Sequence, residues 1–257
     1  MRPLWLWLRS SWWVTPLMLA ALSAGLLRTG AWRWDWAWML STVAGSTLLA
    51  SPVLAAAAAL VTLRSYPPVL AELATTTRRG DAVLVQAGLV VWLQALVGYG
   101  TCLGAGALGC WRYEADQRGL VLPWQLLTAP AALLAAVVLG LLVGRLVRSA
   151  WAVPALAVGL FLAHRPFFWT PLPELVTLKM ATGSMANAGL RTIPEHLMAT
   201  TAVNLLLAAG LGVLLQWLSR PAGARPWRWL VVTGVCLAVL LVVMGWGWDE
   251  TYQPIPA

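Results

Sequence analysis

The sequence predicts an all-α, polytopic membrane protein that folds as a helical bundle. Of its 257 residues, 60% are hydrophobic and only 10% are charged, whereas a soluble domain carries about 25% charged residues. Mean hydropathy is +0.77, and apolar runs of about 20 residues, long enough to cross a bilayer, recur along the chain. This composition excludes a soluble enzyme, a nucleic-acid-binding module and a disordered chain. We expect a single transmembrane domain over residues 1–257.

Seven apolar segments, bounded by Arg, Pro or Trp, predict about seven transmembrane helices. The fifth segment is the least secure, because it is short for a hydrocarbon core of about 30 Å at about 1.5 Å per residue. The segments cover residues 11–27, 38–63, 82–110, 121–144, 149–163, 197–218 and 229–247.

Charge predicts the side of the membrane that each loop faces. With the N-terminus inside, the inner loops hold ten arginines against Glu72 and Asp81, whereas the outer loops hold seven basic and seven acidic residues. Because cytoplasmic loops are enriched in Lys and Arg, we predict a cytoplasmic N-terminus and an extracytoplasmic C-terminus. The net charge of +8 then reflects topology and not a nucleic-acid ligand. The preference for Arg over Lys indicates a GC-rich bacterial genome and so a bacterial plasma membrane.

Three stretches outside the spans are expected to have structure of their own. Residues 1–13 are rich in Trp, which favours an interfacial helix over a cleaved signal peptide. The inner connection, 64–81, starts with Pro67 and Pro68, which end the second span, and continues as a short helix and a basic turn. The outer connection, 164–196, predicts a re-entrant or interfacial hairpin, because irregular backbone at membrane depth must be covered by protein.

The spans contain few groups that could carry chemistry. Asp, Glu, Lys and Arg are absent from the interior of every apolar run, which disfavours a carrier driven by protons or sodium. Milder polar residues inside the runs are expected to bond neighbouring helices. These residues are Gln86, Gln94, Asn204 and Gln216.

The outer connection is bracketed by His164 and by the adjacent Glu195 and His196, which lack the spacing of a zinc-protease helix. Capping or interfacial roles are therefore favoured over a metal or proton site. Lys179, the single lysine, is not preceded by the glycine pattern of a phosphate-binding loop. We expect no catalytic residue, metal or cofactor in this chain, and ATP could be hydrolysed only by another polypeptide.

Two glycine pairs predict close helix packing. Gly100 and Gly104, and Gly140 and Gly144, each have the GxxxG spacing that lets helix backbones approach closely. Packing within one subunit is favoured over a seam between two copies.

The combined pattern resembles the permease subunits of type 2 ABC exporters, here of an actinobacterial kind, which work with a separate ATPase. That family has an interfacial N-terminal elbow helix, a cytoplasmic coupling helix between the second and third spans, and an outer hairpin between the fifth and sixth. The matching stretches are 4–13, 68–79 and 176–191. The most specific local match is ELATTTRR at 72–79, which resembles the family's acidic-Leu-x-Ser/Thr-x-x-x-Arg segment.

The resemblance implies the membrane subunit of an ATP-driven export complex. Its partners would be a cytoplasmic ABC ATPase that binds ATP and Mg, a second permease copy or homologue, and membrane lipids. Since the spans lack charge, we expect an amphipathic substrate: a lipid, a peptide or a hydrophobic antibiotic. Family members usually have six spans, so the seventh would be a C-terminal addition. The alternative is a non-transporting scaffold or assembly subunit. The residues that the resemblance assigns to ATPase coupling are Pro68, Glu72, Thr75, Arg78 and Arg79.

Overall fold

The computed structural model describes residues 4–28, 30–65, 80–117, 120, 122–164, 190–219, 231–236, 238 and 252–254. The described chain is helical apart from turns and one pair of three-residue strands. The helices are α1 (Leu4–Ser11), α2 (Val14–Arg28), α3 (Trp36–Gly45), α4 (Thr47–Ser65), α5 (Gly80–Arg112), α6 (Trp124–Val147), α7 (Ala152–His164) and α8 (Pro194–Ser219), with a 3-10 turn at Ala31–Trp34 and a helical turn at 231–236.

Among the described residues, four helical stretches are long and apolar enough to cross a membrane, so the chain has the character of a multi-pass membrane protein. They are Trp36–Arg64, which joins α3 and α4, Leu84–Arg112, Trp124–Val147 and Pro194–Leu218. The helices in the first and fifth predicted spans are shorter, with 15 residues in α2 and 13 in α7.

The helix of the second predicted span is interrupted at Ser46, between α3 and α4. The Ser46 hydroxyl donates to the Thr42 carbonyl at 2.9 Å, and the Thr47 hydroxyl donates to the Ala44 carbonyl at 2.7 Å. Such hydroxyl bonds compete with the backbone ladder of a helix and often bend it. The prediction of one span here is confirmed in length, since Trp36–Arg64 is long enough to cross a membrane; the interruption at Ser46 left no mark on the hydrophobic pattern.

Helix α6 lies beside α4, and the two helices run in the same direction. Gly140 contacts the Ala55 carbonyl, and Gly144 contacts Ala59 one turn further along both helices. The facing stretch of α4 is a run of buried alanines. Small residues on both helices therefore allow the close approach.

Helix α8 lies beside α6 and is also parallel to it. The hydroxyls of Thr128 and Thr201 are 2.7 Å apart, and Ala136 packs in one cluster with Ala208, further along both helices. Helices α4, α6 and α8 therefore end together. We call this the basic end of the bundle, because α4 and α6 finish there with the exposed Arg64 and Arg148.

Helix α5 starts at the basic end and runs opposite to α6. Gly88 lies against Leu141, near the end of α6, whereas the Trp92 indole donates to the Pro130 carbonyl, near its start, at 3.1 Å. Helix α5 has 33 residues. At about 1.5 Å per residue it is roughly 50 Å long, which exceeds a hydrocarbon core of about 30 Å.

Helix α2 packs against α5 and runs parallel to it. Gly98 of α5 lies against Met18, and Gly109 lies against the ring of Trp32, which follows α2. At the end opposite the basic end, the loops before α3 and after α5 are joined. The Trp36 N–H donates to the Asp116 carbonyl at 3.0 Å.

Two described segments that follow α8 in the sequence lie beside α8 and beside the strand that precedes it. Thr233, in the helical turn 231–236, lies beside Gly210 of α8. Strand β2 (Tyr252–Pro254) pairs antiparallel with β1 (Leu190–Thr192), the strand that precedes α8. Residues 252–254 therefore lie at the end of the bundle where α8 begins, opposite the basic end where it finishes.

Candidate functional site

The residues that the sequence assigns to ATPase coupling lie outside the described residues, as do most of the predicted outer hairpin and most of the seventh apolar segment. Helix α4 ends at Ser65 and α5 begins at Gly80, both at the basic end. The connection that carries the assigned residues therefore leaves and re-enters the described fold at that end. Those residues are Pro68, Glu72, Thr75, Arg78 and Arg79.

The two GxxxG pairs have different surroundings. A Cβ added to Gly140 would meet the Ala55 carbonyl, and one added to Gly144 would lie 2.8 Å from the carbonyl oxygen of Ala59. Around Gly100 and Gly104, no described atom lies within 4 Å of the added Cβ. The pair Gly140 and Gly144 therefore packs α6 against α4 within one chain, while the pair Gly100 and Gly104 faces outward from α5.

The polar residues inside the spans include one that bonds a neighbouring helix and one that bonds its own helix. The Gln94 amide donates to the Leu8 carbonyl of α1 at 3.4 Å, so it bonds a neighbouring helix. The Asn204 amide instead donates to the Thr200 carbonyl of its own helix at 2.9 Å. Thr128 of α6 is hydrogen-bonded to Thr201 of α8. Nothing in the sequence singles out these residues, because isolated threonines are common in apolar runs.

Glu195 and His196 occupy the first turn of α8. His196 is buried and Glu195 is exposed. For His164 only the backbone is described. Within the described ranges, no three His, Cys, Asp or Glu side chains come together as a group that could hold a metal ion.

A groove open to the surroundings lies between α5 and α8, and α6 forms its floor. Its volume is about 210 Å³. Its walls are almost wholly apolar; Gln216 is the polar side chain among the described residues that line it. Gly212 keeps the groove open, since no described atom lies within 4 Å of an added Cβ there, whereas Gly88 lies against Leu141 and lets α5 approach α6. The larger side chains along it include Leu84, Leu89, Leu134, Val137, Leu141 and Leu215.

The groove points toward the basic end. Arg145 lies one helical turn beyond Leu141, on the face of α6 that forms the floor. Its side chain is only 8% exposed. Gln216 is exposed at the same end of α8. Polar and basic groups therefore follow the apolar groove where α6 and α8 finish.

A second recess, of about 660 Å³, lies at the opposite end of the bundle. Its lining includes Trp36, Trp111, Arg112 and Glu114, so it mixes aromatic surface with both signs of charge. Arg112 and Glu114 are exposed. An environment of this kind suits contact with water more than with hydrocarbon.

Asp35 caps the start of α3 near this recess. Its carboxylate accepts the Trp38 backbone N–H at 3.0 Å. Burial raises the pKa of this carboxyl above its ordinary value of 3.8, and repulsion from Asp116 adds to the rise. The backbone N–H groups of Trp38 and Ala37 act in the opposite direction. The Asp35 side chain therefore lies where burial makes its ionised carboxylate unfavourable.

The described residues combine a parallel core of α4, α6 and α8 with an apolar groove, and the buried Arg145 lies one helical turn beyond the last α6 residue that lines it. This arrangement contains the elements of a site for an apolar or amphipathic molecule. Comparison of the chain with protein-family models, with curated proteins and with solved structures finds no match.

Proposed function

We propose that this chain is the membrane permease subunit of an ATP-driven ABC export complex, coupled to a separate cytoplasmic ATPase. The proposal rests on the resemblance carried by residues 4–13 and 68–79. It assigns no catalytic chemistry to the chain itself, and it places ATP and Mg in the partner. A second permease copy or homologue would complete the membrane part, in a bacterial plasma membrane.

The observation that carries the proposal is the order and direction of the helices. A separate short helix, α1, precedes the bundle, as an elbow helix does in the family that the sequence resembles. Helices α2 and α5 run one way, whereas α4, α6 and α8 run the other way. The connection between α4 and α5, which would hold the coupling helix, starts and ends at the basic end. This order agrees with a six-span permease core.

We further propose that the chain crosses the membrane a seventh time, over residues 229–247. Thr233 lies beside Gly210, and β2 pairs with β1 at the opposite end from the one where α8 finishes. A chain that leaves α8 at one end and reaches the other by residue 252 has to travel the length of the bundle. With the basic end in the cytoplasm, this path puts the C-terminus outside.

The coupling step would act through α4 and α5, which flank the coupling connection. A helix at 68–79 seated in a cleft of the ATPase would move as a rigid body when the ATPase closes. Because α4 packs against α6 through glycine–alanine contacts, a displacement of α4 would be passed to the centre of the bundle. The apolar groove supports an amphipathic substrate, since its walls offer contacts to hydrocarbon and its end offers an arginine.

The test is a purification of the full-length chain from its native membrane, followed by measurement of nucleotide hydrolysis. We expect an ATPase without membrane spans to co-purify. Replacing Glu72 and Arg78 together by Gln should abolish the stimulation of that ATPase. The protein should remain in the membrane at its normal level.

Arg148→Gln is the matched control, because it removes one exposed arginine from the same end of the bundle without touching the coupling segment. It should retain full stimulation. If no ATPase co-purifies, or if the double variant stimulates normally, the permease proposal is wrong. Co-purification with other membrane proteins alone would instead support the scaffold alternative.

A further inference from the structure

We propose that the groove between α5, α6 and α8 binds one acyl chain of an anionic membrane lipid, with the lipid headgroup beside Arg145 at the basic end. The inference concerns a lipid site on the bundle. It does not depend on the chain being a permease or on the lipid being transported.

The lining of the groove suits a hydrocarbon chain. Its walls are almost wholly apolar, and Gln216 is the polar side chain among the described residues that line it. The lining residues of α6 run from Leu134 to Leu141, which is about 10 Å at about 1.5 Å per residue. One acyl chain lying along α6 would therefore contact leucine and valine side chains over that whole length.

The length of the groove also sets the depth of its occupant. About 10 Å is a third of a hydrocarbon core of about 30 Å, so the groove lies within one leaflet. Leu84 of α5, Leu141 of α6 and Leu215 of α8 all lie near the ends of their helices at the basic end. The occupant therefore enters from the leaflet whose headgroups are level with that end.

The charge at that end selects the headgroup. Arg145 is 8% exposed and follows the floor of the groove by one turn, and Arg64 and Arg148 lie at the same end of the bundle. A guanidinium binds phosphate through paired charge-assisted hydrogen bonds. Basic pockets between transmembrane helices are known binding sites for anionic lipid headgroups. The Gln216 amide, on the facing wall, can donate a further hydrogen bond.

The experiment uses the full-length chain in vesicles of phosphatidylcholine that contain a phosphatidylglycerol probe with a photoreactive acyl chain. After irradiation, mass spectrometry locates the labelled peptides. We expect labelling enriched on residues 84–89, 134–141 and 212–216. Unlabelled phosphatidylglycerol should compete for these sites, whereas added phosphatidylcholine should not.

Two variants with matched controls test the two halves of the proposal. Gly212→Phe should remove the enrichment, since Gly212 lines the groove and no described atom lies within 4 Å of an added Cβ. Gly100→Phe adds the same bulk at another open position and should leave the enrichment unchanged. Arg145→Gln should weaken phosphatidylglycerol competition roughly tenfold, because a hydrogen bond to a charged group is lost. Arg64→Gln should not.

Even labelling of every lipid-facing helix, with no competition by phosphatidylglycerol, would mean a non-specific lipid shell and would overturn the proposal. The same holds if Gly212→Phe retains the enrichment. If Gly212→Phe removes the enrichment but Arg145→Gln leaves phosphatidylglycerol competition as strong as Arg64→Gln does, the assignment of the headgroup to Arg145 is wrong. Each readout is obtained without an ATPase, so failure here is distinguishable from failure of the export proposal.

Discussion

Replacing Gly140 by Ala tests whether the contact between α4 and α6 depends on the absence of a side chain. The new Cβ would meet the Ala55 carbonyl and would lie 2.8 Å from the Ala58 Cβ. Overpacking of this kind costs about 1–3 kcal/mol, while Ala in a helix gains roughly 0.5–1 kcal/mol over Gly. The difference is a net loss of about 0–2.5 kcal/mol in the free energy of unfolding, and the very short approach to the Ala55 carbonyl favours the upper half of that range.

The matched control is Gly100→Ala, which makes the same chemical change where no described atom lies within 4 Å of the added Cβ. It should raise the free energy of unfolding by roughly 0.5–1 kcal/mol. Reversible unfolding in mixed micelles, titrated with SDS and followed by circular dichroism, measures both values. If the two alanine variants are equally stable, α4 and α6 do not pack through Gly140.

Three further predictions concern other parts of the bundle. Asp35→Asn keeps a capping oxygen and should equal or exceed the wild type in thermal stability at pH 7. The folded protein holds the Asp35 proton more tightly than the unfolded chain does, because the folded-state pKa is raised. The stability of the wild type should therefore fall relative to this variant as the pH rises from below 3.8 through the raised folded-state pKa. A double-mutant cycle of Thr128→Val and Thr201→Val should give a coupling energy of about 0.6 kcal/mol, the usual value for a hydrogen bond between membrane helices; a coupling of zero would contradict the 2.7 Å contact. A maleimide should modify the exposed Cys236 in detergent but not the two buried cysteines of α5, and mass spectrometry of the intact protein should count one adduct.

The tertiary structure explains why the sequence could not separate the two glycine pairs. Both pairs have the same spacing, and spacing reports only that two glycines share a helix face. Which face meets another helix depends on the direction and position of α4, and these are long-range relations. The groove was unpredictable for the same reason: its lining residues come from three helices, and their leucines and valines look like any other lipid-facing residues in the sequence.

The buried hydrogen bonds show a second limit of sequence reasoning. Asn204 was expected to bond a neighbouring helix, yet it bonds its own, since a helical amide can reach the carbonyl four residues earlier. Thr128, which does join two helices, gave no signal because threonine hydroxyls usually bond within their own helix. A polar residue inside an apolar run indicates a hydrogen bond but does not identify its partner.

By itself, the sequence determined that this is a multi-pass helical membrane protein, because apolar length and low charge are properties of the chain that a bilayer acts on directly. The charge pattern further predicts its orientation, and the resemblance of the segment at 72–79 to the permeases of type 2 ABC exporters predicts a link to an ATPase. Only the tertiary structure decided that α4, α6 and α8 run parallel, that Gly140 packs while Gly100 faces outward, and that an apolar groove lies between α5, α6 and α8, one helical turn before Arg145. These features depend on how separate helices meet, and hydrophobic periodicity carries no information about that.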